Sequence, residues 1–175
     1  MDVGKPDSPE EPLYTQTPKQ LTPDQPLTIV GIGASAGGVE ALEQLFAAMP
    51  DDTGMAFVAI QHLSPDFESL MPQILSRQTG MPVVKIEDGL EIQPNHVYVL
   101  PNRKLAELDG RHFKTQDLDR EKHAQSIDHF FKTLASSAGE DAIGIILSGT
   151  GSDGAKGVCE IHRHQGLVVV QSEES

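Results

Sequence analysis

The stretch "LTIVGIGASAGG", residues 27–38, decides the fold class, because an apolar run passes directly into a glycine-rich turn. The amphipathic segment that overlaps its end, residues 37–48, has the apolar spacing of a helix, so this region predicts a strand, a turn and a helix. The turn itself matches two motifs. Residues 31–36 fit the G-x-G-x-x-A fingerprint of a dinucleotide site, whereas residues 33–37 fit the G-x-S-x-G nucleophile elbow. Residues elsewhere in the chain are needed to choose between the dinucleotide site and the nucleophile elbow.

The chain continues this alternation of strand-like and helix-like segments. In order, the patterns predict a strand at 27–32, a helix at 37–48, a strand at 55–60, a helix at 67–78, strands at 82–86 and 96–100, a hairpin over 104–108 and 111–115, a helix ending near Ala138, a strand at 142–147, a helix at 155–164 and a strand at 167–171. Asp109-Gly110 favours a type I′ turn in the hairpin, and Ser126 is the expected N-cap of the helix that follows. The predicted fold class is α/β: a doubly wound, mostly parallel sheet with a small β-hairpin excursion.

Composition indicates one folded domain and a separate leader. Residues 1–26 hold six of the twelve prolines and almost no apolar side chains, which predicts a disordered leader. The remaining residues, 27–175, are expected to form a single domain.

Charge and hydropathy narrow the function classes. The formal net charge of −13 and the pI near 4.8 leave no basic surface for nucleic acid or anionic lipid. No run of about 18 apolar residues and no secretory leader occurs, so we expect a cytoplasmic protein without membrane insertion. The single Cys159 cannot form an internal disulfide, which fits a reducing compartment.

Three residues whose side chains can take part in catalysis follow predicted strands. Ser35 follows the first strand, His62 the second, and Asp153 lies in a glycine-rich loop after the strand 142–147. Because groups beyond the carboxyl ends of parallel strands gather at one edge of the sheet, these side chains are expected to lie together. A serine hydroxyl needs a base such as imidazole, and the imidazole needs a carboxylate that holds its tautomer. Backbone N–H groups starting at Ala36 would then hold an oxyanion.

The phosphate-binding interpretations make demands that the chain does not meet. A dinucleotide site needs an acidic residue that closes the second strand and binds the ribose hydroxyls, but Gln61 and His62 stand there. The loop "GTGSDGAKG", residues 149–157, departs from a P-loop because its lysine does not follow a glycine. The nucleophile elbow is therefore the favoured interpretation.

Two further features have structural interpretations. Cys159 and His162 are three residues apart on a predicted helix with His164 nearby, but no fourth metal ligand is apparent, so no metal is expected there. The serine-hydrolase interpretation needs no organic cofactor either. Asp128 lies beside the N-terminus of its own helix and is expected to complement that helix's dipole.

Five longer stretches of the chain together resemble a known family. The stretches "IVGIGASAGGVEAL", "VAIQHLSPDF", "EDGLEIQPNHVYVLP", "SIDHFFKTLA" and "AIGIILSGTGSDGAKG" are similar, in this order, to the catalytic domain of the CheB-type protein-glutamate methylesterases of bacterial chemotaxis. They cover most of residues 27–175, which makes the set far more specific than any single motif. The residues of these motifs are most similar to those of fusion proteins in which a methylesterase domain precedes a methyltransferase domain.

The resemblance implies an activity, a site and partners. It implies hydrolysis of γ-glutamyl methyl esters on methyl-accepting chemoreceptors with release of methanol, and deamidation of receptor glutamines as a further activity. By position, Ser35 is the nucleophile, His62 the base and Asp153 its orienter, with the backbone amides of Ala36 and Thr150 as oxyanion donors. A methyltransferase domain or protein is a further implied partner, and no cofactor is implied.

The chain also departs from the family pattern. Typical members carry a receiver domain before the esterase, and they continue beyond the strand ending near Gln171 with a segment rich in Gly, Met and Pro, a strand and a helix. We therefore expect residues 27–175 to be a catalytic domain that is incomplete at its C-terminus. The competing hypothesis is a catalytically inactive methylesterase-like module that binds a receptor, a methyltransferase or a kinase.

Overall fold

A computed structural model describes residues 25–35, 38–61, 70–118, 125–147 and 152–172. Nearly all of the expected leader lies outside these ranges. The strands are β1 (Ile29–Ala34), β2 (Ala56–Gln61), β3 (Val83–Lys85), β4 (His96–Val99), β5 (Lys104–Asp109), β6 (His112–Asp117), β7 (Ala142–Ile146) and β8 (Leu167–Val170). The helices are α1 (Val39–Ala48), α2 (Met71–Leu75), α3 (Ser126–Ala138) and α4 (Ala155–Arg163), and a 3₁₀ turn (Gly139–Asp141) follows α3.

Six strands form one parallel sheet in the order β3-β4-β2-β1-β7-β8, and β5 and β6 form an antiparallel hairpin. The predicted fold class is confirmed. Strand β1 lies between β2 and β7 and is buried along its whole length, which explains why its sequence is apolar or glycine at every position. The strand order changes direction at β1, since β2 lies on one side of it and β7 on the other. In doubly wound sheets, ligand sites form at such a point, beyond the carboxyl ends of the strands.

Each face of the sheet carries its own apolar layer. One layer joins the sheet to α3, α4 and the hairpin, and its four largest buried members are Tyr98, Phe113, Phe130 and Phe131. The other layer joins the sheet to α1 and α2, and its largest buried members are Phe46, Phe57, Ile32, Leu42 and Leu75. Alternate residues along β1 and β2 belong to opposite layers, as the two-residue period of a strand requires.

Two glycines of β1 let α3 approach the sheet closely. A methyl group on Gly31 would lie 2.8 Å from a ring carbon of Phe131, and one on Gly33 would lie 2.6 Å from Cγ2 of Ile127. Side chains at these two positions would therefore force α3 away from the sheet. Their absence brings the first turn of α3, which contains Ile127, to the carboxyl end of β1.

Two local predictions were wrong. In the hairpin, Asp109 pairs with His112, so the loop consists of Gly110 and Arg111. Within the described residues Gly110 has a φ of +59° and Arg111 is not among those with positive φ, which is the pattern of a type II′ turn rather than type I′. Ser126 is the first residue of α3 rather than its N-cap, and the helix has no capping bond from the side chain before it.

The helix predicted at 67–78 is shorter in the structure. Its described part is α2, with a turn at 76–78, and residues 67–69 of the prediction lie outside the described residues. Across the part of the chain that the structure describes, every helix is too short or too polar to cross a bilayer.

Candidate active site

The site lies where β2, β1 and β7 end side by side. These strands are neighbours and run parallel, so their carboxyl ends share one edge of the sheet. Ser35 follows β1 directly, and Gln61, the last residue of β2, is paired with Ala34. Leu147, just after β7, continues the pairing by donating its N–H to the carbonyl of Gly33 at 2.9 Å. Topology therefore brings the ends of the three predicted strands together.

Ser35 sits on a tight turn between β1 and α1. Its carbonyl oxygen accepts a hydrogen bond from the N–H of Gly38 at 2.8 Å, and α1 begins one residue later. A methyl group on Gly38 would lie 2.7 Å from Cβ of Ala34, so only glycine fits where the chain reverses. Ser35 itself is half-buried. A serine between a strand and a helix on a turn this tight has the arrangement of a nucleophile elbow.

Asp153 is anchored on the first turn of α3. Its two carboxylate oxygens accept hydrogen bonds from the N–H groups of Ile127 and Asp128, each at 2.9 Å. The first N–H groups of a helix have no partner within the helix, and together they favour a negative charge. Asp153 thus caps α3 from another part of the chain, which explains why the predicted cap Ser126 is not needed.

Ser35 and Asp153 belong to one region of the molecule. Methyl groups placed on Gly33 and on Gly154 would both meet the same two side chains, those of Ile127 and Ile146, at 2.5–3.2 Å. Gly33 precedes Ser35 by two residues and Gly154 directly follows Asp153. The residues near the predicted nucleophile and the predicted carboxylate therefore pack around one pair of side chains, Ile127 at the N-terminus of α3 and Ile146 at the end of β7.

Three predicted site residues lie outside the described residues: His62, Ala36 and Thr150. Their roles remain predictions. His62 follows Gln61 in the chain, Ala36 follows Ser35, and Thr150 belongs to the loop that leads to Asp153.

Asp128 is the acidic residue in the first turn of α3, where the dipole interaction was predicted, and it has a further role that was not predicted. Its side chain is 5% exposed, and its Oδ1 accepts hydrogen bonds from the N–H groups of Gly154 at 3.0 Å and Gly157 at 2.7 Å. These N–H groups belong to the start of α4, so Asp128 caps α4 and not its own helix. The partners are 26 and 29 residues away, and no local pattern could have indicated them.

The sequence motifs gave Gln61 no role of its own beyond its position before His62. Its side-chain nitrogen and oxygen are both buried without a hydrogen-bond partner, alone among the side chains that the structure describes. It shares a strand register with Ala34, whose side chain packs in the layer of α1 and α2. Since neighbouring parallel residues in register face the same side of a sheet, the Gln61 amide lies on the α1 side.

The residues weighed as metal ligands form no such site in the described ranges. There, no group of three or more His, Cys, Asp or Glu side chains is arranged to hold a metal ion. Cys159 and His162 are exposed on α4, and Nδ1 of His164 lies 2.9 Å from the carbonyl oxygen of Glu160.

A parallel doubly wound sheet, with a serine on a tight strand-to-helix turn and an anchored aspartate at the same edge, defines an α/β protein with a candidate hydrolase site. The comparisons agree with this class. Residues 30–175 match the sequence model of the CheB methylesterase family. The chain therefore belongs to the CheB methylesterase family, and the predicted resemblance is confirmed.

Individual relatives support the same assignment. The chain is 32% identical over 170 residues to the protein-glutamate methylesterase/protein-glutamine glutaminase of Pectobacterium atrosepticum, a match that covers 92% of this chain and 48% of that protein. It is 36% identical over 152 residues to protein-glutamate methylesterase/protein-glutamine glutaminase 2 of Xanthomonas oryzae pv. oryzae. This match covers 84% of this chain and 42% of that protein. The chain thus spans about half the length of the curated relatives that it matches.

A solved structure has the same fold. The crystal structure of the Thermotoga maritima CheB methylesterase catalytic domain superposes with a TM-score of 0.76 at 26% sequence identity. The match covers 85% of this chain and 81% of that one.

Proposed function

We propose that this chain carries a protein-glutamate methylesterase active site, with Ser35 as nucleophile, His62 as general base and Asp153 as the carboxylate that orients His62. The observation that carries the proposal is that Ser35 follows β1 on a tight turn, while Asp153 is bonded to the first turn of α3, which packs against Gly33 near the same end of β1. The names of the relatives, which pair methylesterase with glutaminase activity, support the choice of ester and amide substrates.

In the proposed reaction, Oγ of Ser35 attacks the carbonyl carbon of a γ-glutamyl methyl ester while His62 takes the serine proton. The N–H groups of Ala36 and Thr150 would hold the oxyanion of the tetrahedral intermediate. As the intermediate collapses, the ester bond breaks and His62 returns the proton to the departing methoxide, which leaves as methanol. Water then attacks the acyl-enzyme by the same route and releases the glutamate carboxylate. With a glutamine side chain, ammonia leaves instead of methanol.

The anchoring of Asp153 suits its proposed role. A triad carboxylate must stay ionised and must not rotate, because it holds the tautomer of the imidazole and stabilises the imidazolium. The N–H groups of Ile127 and Asp128 engage one oxygen each, and a carboxylate oxygen has a second lone pair. Asp153 can therefore cap α3 and accept a hydrogen bond from His62 at the same time.

The wider assignment is also proposed. We place the catalytic unit in residues 27–175, after the proline-rich residues 1–26, and we expect it to act in the cytoplasm on methyl-accepting chemoreceptors. The acidic charge argues against nucleic acid as a partner. A methyltransferase domain or protein is the further partner suggested by the similarity of these motifs to those of the fusion proteins.

Methanol release from carboxyl-methylated chemoreceptor membranes tests the proposal. The chain and its Ser35→Ala variant are compared at neutral pH, after circular dichroism has shown both to be folded. We expect turnover by the chain and a loss of about 10⁶ in kcat for the variant, as for other triad nucleophiles. Equal release by both would refute Ser35 as the nucleophile. Receptor binding without release by either would favour the inactive binding module.

A further inference from the structure

We propose that Asp128 is a positioning residue for the esterase reaction, acting through the loop that carries Asp153. The inference rests on the proposed function, because it assigns a task to a residue that supports the proposed triad. The two aspartates make a reciprocal contact between two helices. Asp153, in the loop before α4, caps α3, while Asp128, in the first turn of α3, caps α4.

Neighbouring residues of one loop take part in the two caps, Asp153 as an acceptor and Gly154 as a donor. The N–H of Gly154 belongs to the peptide group that joins Asp153 to Gly154, and Asp128 accepts that N–H at 3.0 Å. Asp128 therefore fixes the orientation of the peptide plane directly after the Asp153 Cα. Gly154 has a φ of +100°, a left-handed conformation that the loop must adopt to make this turn. An acceptor at Asp128 holds the turn in that conformation.

Burial makes the contact hard to replace. Asp128 is 5% exposed, so water has little access to take its place as acceptor for Gly154 and Gly157. Without the acceptor, the two N–H groups would be left unsatisfied in the interior, and the loop would move to find other partners. Such a movement displaces Asp153, whose carboxylate must stay aligned with the imidazole. A misplacement of about 1 Å can cost about 100-fold in rate.

Asparagine and alanine at position 128 separate positioning from charge. Both hydrogen bonds end on one oxygen, Oδ1, so the single carbonyl oxygen of Asp128→Asn can accept both. Asp128→Ala removes the acceptor entirely. Thr133→Ala serves as the matched control, because it removes a half-buried hydrogen bond of the same helix. Thr133 accepts from the N–H of Leu108 at 3.1 Å, away from the Asp153 loop.

The first readout is steady-state methanol release at a temperature where all variants are folded. For Asp128→Ala we expect kcat to fall by about 10- to 100-fold with KM nearly unchanged, since the substrate still binds but the triad is misaligned. Asp128→Asn should recover most of that kcat. Thr133→Ala should lower the melting temperature without lowering kcat. A purely structural cap would instead give Asp128→Ala the same profile as Thr133→Ala, which would overturn the proposal, as would an Asp128→Asn variant as slow as Asp128→Ala.

The second readout does not depend on activity. Amide hydrogen exchange at Ile127 reports whether Asp153 still accepts that N–H. We expect exchange to accelerate in Asp128→Ala and to stay slow in Asp128→Asn and Thr133→Ala. If the unmodified chain releases no methanol, the proposed function fails while the exchange data still decide the positioning role. Exchange at Ile127 that stays as slow in Asp128→Ala as in the unmodified chain would overturn the positioning role of Asp128.

Discussion

Asp153→Asn is expected to reduce both stability and turnover, for reasons that follow from the hydrogen bonds of Asp153. Its two oxygens each accept a backbone N–H, from Ile127 and from Asp128. Asparagine offers one carbonyl oxygen and one NH₂ group, so it can satisfy only one of these donors. The NH₂ group would then face the other N–H, donor against donor. Asp128→Asn is the matched control, because it removes one negative charge from the same pair of caps while keeping its acceptor.

The expected loss can be worked out from these bonds. A hydrogen bond to a charged group contributes about 1.5–3 kcal/mol and one between neutral groups about 0.5–1.5 kcal/mol. The substitution turns one charged bond into a neutral one and eliminates the other, a difference of about 3.5 kcal/mol at mid-range. Because Asp153 is half-buried, solvent screens part of this, and we expect the free energy of unfolding to fall by about 2 kcal/mol.

Two assays check this prediction. Urea denaturation gives the free energy of unfolding from midpoint and slope. Methanol release gives kcat, which we expect to fall by about 10⁴, as when the carboxylate of another triad is replaced by an amide. Unchanged stability would show that the carboxylate does not cap α3 in solution. A stability loss with unchanged kcat would show that Asp153 is a structural cap and not a triad member.

Two further predictions concern stability. Gly33→Ala should lower the free energy of unfolding by about 1–3 kcal/mol in urea denaturation, because its methyl group would meet Ile127 at 2.6 Å; unchanged stability would mean that α3 can leave β1 without cost. Burial raises the pKa of Tyr98, although the N–H of Gln93 acts in the opposite direction. The folded state therefore favours the neutral phenol, so this stabilisation is complete below the ordinary pKa of about 10 and is lost as the pH rises through the folded value. Denaturation over an alkaline pH series should show a decline in the chain that Tyr98→Phe lacks, and parallel declines would contradict the assignment.

The element order could be predicted from local sequence because its signals are local. The apolar run before the turn and the uninterrupted apolar segment of β7 indicated parallel strands, and the helical spacing of Phe130, Phe131 and Leu134 indicated the buried face of α3. Ser35 was recognised for the same reason, since a nucleophile elbow is a contiguous motif. The positions of His62, Ala36 and Thr150 rest on the chain order and the family resemblance alone.

What the sequence alone determined was the succession of strands, turns and helices and the candidates Ser35, His62 and Asp153, because periodicity and contiguous motifs are properties of neighbouring residues. The tertiary structure decided which helix end each aspartate caps. Asp153 and Asp128 each find their donors more than 20 residues away, and only the packing of α3 and α4 on the same face of the sheet brings those groups within hydrogen-bond distance. Hydrogen bonds depend on a separation of about 3 Å in space, and sequence distance carries no record of it.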